Sequence, residues 1–248
     1  MFKINVYIAS RNRESHLKVC LHYLNLANKE NKYEIRVYIN FDDSMCSHID
    51  IMDYSHIIIL WNYVYNPGQF NKSMLLNSGL ALGIKDFPDA HFVCDCDMIY
   101  RQTIFDTLKQ KVDEGFDYIV SHGWHLGSDT VDYVKSLPSI KEIEGLNKEV
   151  FDVGPSQITI TPKCLDLFIR LFGPNLYDSV FCGWGLEDSL VSTKSRYLFM
   201  FGQIKKVELK DLWFHQYHTK HDINPDNVSY FDKKNKEVID FLNIVYKK

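Results

Sequence analysis

Apolar and polar positions along this chain keep two rhythms in turn. Residues 2–9 (FKINVYIA) alternate with β-branched side chains and predict a strand, and after Ser10-Arg11-Asn12-Arg13 the residues Leu17, Leu21, Leu24 and Leu26 predict a helix. Residues 33–40 and 57–61 predict a second and a third strand, the second running into Asp42-Asp43. Residues 70–83 keep helical periodicity, with Asn71 placed to cap the start and Gly83 near the end. A short apolar strand over 91–94 then meets Asp95-Cys96-Asp97. A helix is predicted over 103–114 and a strand over 118–121, after which Gly, Pro and Ser break the pattern to about Lys148, as in an inserted or mobile segment. Residues 158–161 and 165–172 restore strand and helix. Beyond the Gly/Trp-rich stretch 181–188, the chain shows a strand over 207–213, a histidine-rich turn and a helix over 236–246.

Strands alternating with helices predict an α/β protein: a mixed, mostly parallel, Rossmann-like central sheet flanked by helices, with ligands in the crevice beyond the carboxyl ends of the strands. We expect one domain over residues 1–248, with a nucleotide-binding half over 1–100 and an acceptor and catalytic half over 101–248. Composition agrees with that size of core: the 248 residues are 46% hydrophobic and 24% charged. A net charge of −4 supplies no general attraction to phosphate backbones, which argues against nucleic acid as the main partner. The six cysteines lack the paired spacing of a metal finger. No basic region followed by an apolar run opens the chain, and no apolar stretch reaches membrane-spanning length, so the expectation is a cytoplasmic protein with free thiols and no membrane span.

Four segments carry candidate chemistry. Asp95 and Asp97 emerge from a buried strand one residue apart, and such oxygen ligands suit Mn2+ or Mg2+ on a diphosphate; alone, the pair reads more simply as a strand end with two solvated acids. In Phe181-Cys182-Gly183-Trp184-Gly185-Leu186-Glu187-Asp188, the glycines allow close backbone approach and the indole offers a flat face to a sugar. Glu187 or Asp188 can there act as general base, or the two acids can simply favour a helix N-terminus. His215, His218 and His221 follow an apolar strand and offer at least one metal or phosphate contact. Ser10, Arg11 and Arg13 stand at the start of a helix, where backbone N–H groups and guanidinium forks favour an anion.

Taken in order, these segments resemble the β-1,4-galactosyltransferase family of GT-A glycosyltransferases. Ser10-Arg11-Asn12-Arg13-Glu14-Ser15-His16-Leu17 is similar to its F-R-N-R-x-x-H-L segment, and residues 70–79 to its F-N-R-A-x-L-L-N-V-G helix. Cys94 to Ile99 falls at its D-V-D-L-I metal motif, residues 181–188 resemble its W-G-W-G-G-E-D segment, and His218-Thr219-Lys220 its H-S-R. The likeness covers roughly residues 5–228. It implies a GT-A fold and transfer, with inversion, of a galactose- or glucose-type hexose or N-acetylhexosamine from a UDP-sugar to an acceptor hydroxyl. It implies donor contacts from Ser10, Arg11, Arg13, Asn71, Lys72, Asp95, Asp97 and Trp184, and acceptor contacts from Trp184, Gly185, Glu187 and Asp188. Mn2+ or Mg2+ is expected on Asp97 with His218, with Asp95 and His215 as further candidate ligands, and Asp188 as base beside Glu187. The acceptor is a saccharide, a lipid-linked saccharide or another hydroxyl-bearing molecule. Departures are the Leu186 at a glycine position of the family and a divergent Phe151-Asp152-Val153-Gly154 where its donor-selecting residues lie. The Gly-Trp-Gly-x-Glu-Asp segment is shared with retaining N-acetylgalactosaminyltransferases, so retention is the alternative outcome, and a non-catalytic carbohydrate-binding relative is the alternative class.

Overall fold

The computed structural model describes residues 1–42, 54–152, 156–183, 185–218 and 223–246. Asp43, Cys46, Val153, Gly154, Trp184, Thr219, Lys220 and His221 lie outside the described residues. The first half repeats strand and helix: β1 (Lys3–Ser10), α1 (Glu14–Ala27), β2 (Glu34–Phe41), β3 (Ile58–Tyr63), α2 (Lys72–Gly83) and β4 (Ala90–Asp95). Asn71 caps α2, its side chain accepting from Met74 N–H at 2.8 Å. The next elements are β5 (Met98–Tyr100), α3 (Ile104–Asp113), β6 (Tyr118–Leu126), α4 (Val131–Lys135), α5 (Ile140–Glu144), β7 (Lys148–Asp152) and β8 (Ile158–Ile160). The last are α6 (Pro162–Phe172), α7 (Glu187–Met200), β9 (Lys206–His215) and α8 (Pro225–Tyr246).

One sheet runs β3-β2-β1-β4-β8-β6-β9-β5, with β7 paired to β6. β3, β2, β1 and β4 are mutually parallel, β8 is antiparallel to both β4 and β6, β9 runs parallel to β6, and β5 is antiparallel to β9. Helices cover both faces, which explains why β1 is buried almost continuously. Ile4, Val6 and Ile8 face Leu17, Leu21 and Leu24 of α1, whereas Tyr7 and Ala9 share the opposite core with Leu75, Leu76 and Leu80 of α2. That second core also takes in Phe168 of α6, Leu190 of α7 and Leu242 of α8.

Where the pattern weakens after Ser121, β6 continues to Leu126, and α4 and α5 follow, seated on the rest of the protein. Val134 and Ile143, 1% and 0% exposed, join Val19, Tyr23, Ile99 and Phe214 in a third apolar cluster. Ser139 and Glu142 form a reciprocal capping box, and the Tyr23 hydroxyl donates to Pro138 O. Helices of five residues carry too little periodicity to be predicted; their docking residues hold them. The sequence offered α7 only through the alternative reading of Glu187 and Asp188 as a helix N-terminus, without its extent. Its N-cap, Leu186, sits at φ +76° and makes no side-chain cap hydrogen bond, so the usual start signal is missing. No described helix is long and apolar enough to cross a membrane. Cys20, Cys94, Cys164 and Cys182 are free thiols.

Candidate active site

Two charged constellations, joined by Cys96, lie beyond the carboxyl end of β4. The first is built on the β5/β9 rung. Met98 pairs with His215, and Gln216 N–H donates to Asp97 O at 2.9 Å, so the turn after β4 is stitched to the end of β9. His215 Nε2 lies 3.5 Å from Asp97 Oδ1, and His218 Nε2 lies 3.1 Å from Asp97 Oδ2. One ligand atom from each of Asp97, His215 and His218 fits within 4.8 Å of the others. Asp97 is 7% exposed, and its Oδ1 is buried with no hydrogen-bond partner among the described residues. Burial works against the Asp97 carboxylate, but His215, His218 and Arg13 outweigh it and hold Asp97 below the usual carboxylate range. Burial likewise pushes His215 down, keeping it in the neutral form that ligates metals. Arg13 Nη2 donates to His218 Nδ1 at 3.1 Å; since guanidinium only donates, a neutral His218 carries its proton on Nε2, facing Asp97. His125 tilts against His215 with centroids 4.4 Å apart and pairs through Nε2 with Asp152 at 3.0 Å, while His16 meets His218 edge-on. One carboxylate and two imidazoles make a donor set that fits a divalent metal ion.

The second constellation surrounds Lys72, on the first turn of α2. Its Nζ lies 2.6 Å from Asp95 Oδ1, 2.8 Å from Asp188 Oδ2 and 3.5 Å from Glu187 Oε1. Burial disfavours the Lys72 ammonium, yet Asp188, Asp95 and Glu187 raise its pKa and keep it charged. Asp188 goes the other way from an ordinary carboxyl. Burial raises it, Lys72 opposes, and the neighbouring Glu187 and Asp95 add to the rise. Its Oδ1 is buried and has no hydrogen-bond partner among the described residues. Asp95 belongs to this group and is not a member of the Asp97 cluster: its Oδ2 accepts from Gln157 Nε2 at 2.9 Å.

The loop that delivers Glu187 and Asp188 needs left-handed backbone at Gly183 (φ +74°) and Gly185 (φ +102°), which explains glycine at both. Gly183 N–H donates to Phe70 O at 2.7 Å, and Asn71, besides capping α2, donates through Nδ2 to Ser179 O at 2.8 Å. From the other side, Asn227 Nδ2 donates to Cys182 O and Gly185 O, both at 3.0 Å, and Asn224 Nδ2 to Cys182 O at 2.9 Å. Glu187 and Asp188 open α7, where its free N–H groups favour carboxylates. Arg11 spends its guanidinium on the rim: Nε donates to Asp42 Oδ1 at 2.7 Å, Nη1 to Gly68 O at 2.9 Å and Nη2 to Asn66 O at 3.2 Å. Ser10 is fully buried at the end of β1.

Gln157, His16, His125, Asn224 and Asn227 play parts here that sequence reading did not assign. Each is an isolated polar residue whose partner lies far along the chain; a polar residue abutting an apolar strand, as at Gln157, was the one available signal.

No protein-family model matches the sequence, and no curated protein sequence matches it. Solved structures do match in shape. Residues 1–349 of S. aureus TarS, determined with UDP-GlcNAc, superpose with a TM-score of 0.66 at 13% identity, covering 96% of this chain. This chain spans 66% of that TarS chain, just under two thirds. The catalytic domain of Drosophila β1,4-galactosyltransferase 7 with xylobiose gives 0.53 at 12% identity, covering 93% of this chain and 80% of its own. The mannosyltransferase PcManGT from Pyrobaculum calidifontis with GDP-Man and Mn2+ gives 0.51 at 11% identity, covering 97% and 73%. These neighbours are GT-A glycosyltransferases, and the fold of this chain is the GT-A fold.

Proposed function

We propose that this protein is a metal-dependent, inverting glycosyltransferase that moves a galactose- or glucose-type hexose, or an N-acetylhexosamine, from UDP to an acceptor hydroxyl. The observation that carries the reading is the adjacency of the two constellations: a divalent-ion site at Asp97, His215 and His218, and a buried carboxyl, Asp188, one shared turn away. Neighbours of the same fold were solved with UDP-GlcNAc or with manganese and UDP-Gal, and those ligands motivate the donor class. A bound Mn2+ or Mg2+ supplies charge neutralisation for the departing diphosphate.

The remaining work belongs to the chain's own residues. Asp97, His215 and His218 would hold that ion, and Arg13, which donates to His218 Nδ1 at 3.1 Å, would stand beside it as a donor to a phosphate. Lys72 holds Asp188 by Oδ2, leaving Oδ1 to take the acceptor's proton as the hydroxyl attacks in line. The raised proton affinity of Asp188 makes it a stronger base than a solvated carboxylate. Gly185, Glu187 and, by the family likeness, Trp184 line the acceptor side; Asn71 supports it from below through Ser179. Arg11 braces Asp42 and the turn at Asn66 and Gly68, next to the buried Ser10 at the end of β1. The acceptor is a saccharide, a lipid-linked saccharide or another hydroxyl-bearing molecule.

Calorimetric titration with UDP, UDP-glucose, UDP-galactose and their N-acetylated forms, with Mn2+ and with chelator, tests the reading. We expect binding that requires Mn2+ and prefers one sugar. A folded protein that binds no uridine nucleotide overturns it.

A further inference from the structure

Two carboxylates one residue apart look like a pair serving one cation, and the structure separates them. Gln157 grips Asp95 from two sides: its Oε1 accepts from Asp95 N–H at 3.2 Å and its Nε2 donates to Asp95 Oδ2 at 2.9 Å. The Tyr100 hydroxyl donates to the same Oε1 at 2.6 Å, and both Tyr100 and Gln157 are fully buried. The remaining oxygen of Asp95, Oδ1, meets Lys72 Nζ at 2.6 Å, and Lys72 meets Asp188 Oδ2 at 2.8 Å. A lysine on a four-carbon stem is a poor positioning device by itself, because its ammonium swings freely; a second, rigid anion fixes it. Here the anchor is Asp95, immobilised by groups of the core.

We propose that Asp95 is a positioning residue for Asp188, acting through Lys72, and is not a ligand of the divalent ion. The inference rests on the reading of Asp188 as the base. Asp95 cannot turn to the Asp97 cluster without giving up Lys72 or Gln157, and losing Lys72 sets Asp188 adrift. The chain Gln157–Asp95–Lys72–Asp188 thus follows the logic in which a base is oriented by a second group and that group by a third.

Asp95→Asn, Asp97→Asn, Lys72→Met and Lys72→Arg separate the two roles, with far-UV dichroism confirming that each is folded. Two quantities are read: the Mn2+-dependent affinity for UDP, by calorimetry, and kcat and KM for UDP release from the UDP-sugar. Asp97→Asn should lose Mn2+-dependent binding. Asp95→Asn should keep UDP affinity within about threefold while kcat falls about 10- to 100-fold, the pattern of a transition-state contribution. Asp95→Asn combined with Lys72→Met should be no worse than Lys72→Met alone, since both break one chain, and Lys72→Arg should recover part of kcat. Where Lys72→Met fails to fold, Lys72→Arg with and without Asp95→Asn serves for the cycle. Loss of Mn2+-dependent UDP binding in Asp95→Asn comparable to that in Asp97→Asn would make Asp95 a ligand and overturn the proposal, as would additive effects on kcat. A wild-type protein that binds no UDP at all is a different result: it removes the glycosyltransferase reading, and this inference with it.

Discussion

Asp97 and Asp95 began with the same chemistry and ended in opposite circumstances. Around Asp97 the described residues place the imidazoles of His215 and His218, a donor set that can take a cation from outside. Around Asp95 it supplies its own cation, Lys72, and shares it with Asp188 and Glu187. The cause is local. Residues i and i+2 of an unbroken strand share a face, but β4 ends at Asp95 and Asp97 lies in the turn before β5, so the alternation is broken between them. A motif of two acids is therefore two instructions, separated by the turn between β4 and β5.

The contrast can be broken in several ways. Asp188→Asn should lower kcat by about 100- to 10,000-fold, the range for loss of a general base, with UDP affinity kept; unchanged turnover would remove Asp188 from the reaction. On the other constellation, His215→Ala and His218→Ala should each weaken Mn2+-dependent UDP binding by at least about 10- to 100-fold in calorimetry, and a histidine whose loss has no effect is not a ligand. Lys72→Met leaves three carboxylates facing one another and should cost about 3–5 kcal/mol in urea unfolding, whereas removing His215 should cost far less. The pH dependence sharpens the pair further. As the proposed base, Asp188 would act unprotonated, and its pKa is raised, so the rate should climb with pH through a limb above the ordinary carboxyl value of 3.8, and that limb should vanish in Asp188→Asn. The smallest effect is expected from Asn227→Ala, which removes hydrogen bonds to Cys182 O and Gly185 O; we expect about 1–3 kcal/mol of destabilisation and a raised acceptor KM.

The first half of the fold was legible because each of its elements is long, periodic and punctuated: Asn71 caps α2 as its position suggested, and β1, β2 and β4 lie within a residue or so of their predicted bounds. α4, α5, β5 and β7 are too short to carry a period, and α8 begins at Pro225, well before the predicted Lys236, because its first turns expose mixed polar residues. At the site, the residue types of both constellations could be read from the sequence, since acids and histidines at strand ends are conspicuous. Their partners could not be. Nothing in the local pattern about Lys72 says that its ammonium will lie between Asp95 and Asp188, and nothing about Gln157 says that it will hold Asp95. Those pairings arise from the order of strands in the sheet, which places β4 beside β1 and β8.

The hold of Asn224 on Cys182 O and of Asn227 on Cys182 O and Gly185 O also bears on the order in which a ribosome delivers the chain. Domains acquire structure from the N-terminus as synthesis proceeds at about 5–20 residues per second. The parallel strands of the first half can therefore pair while later residues are still being made. His215, His218, Asn224 and Asn227 all emerge after β1 to β4. On the proposed reading, the donor half of the nascent protein precedes its working site: both the proposed cation ligands from β9 and the brace on the loop before α7 emerge only after β1 to β4, so competence is acquired in one step instead of by degrees.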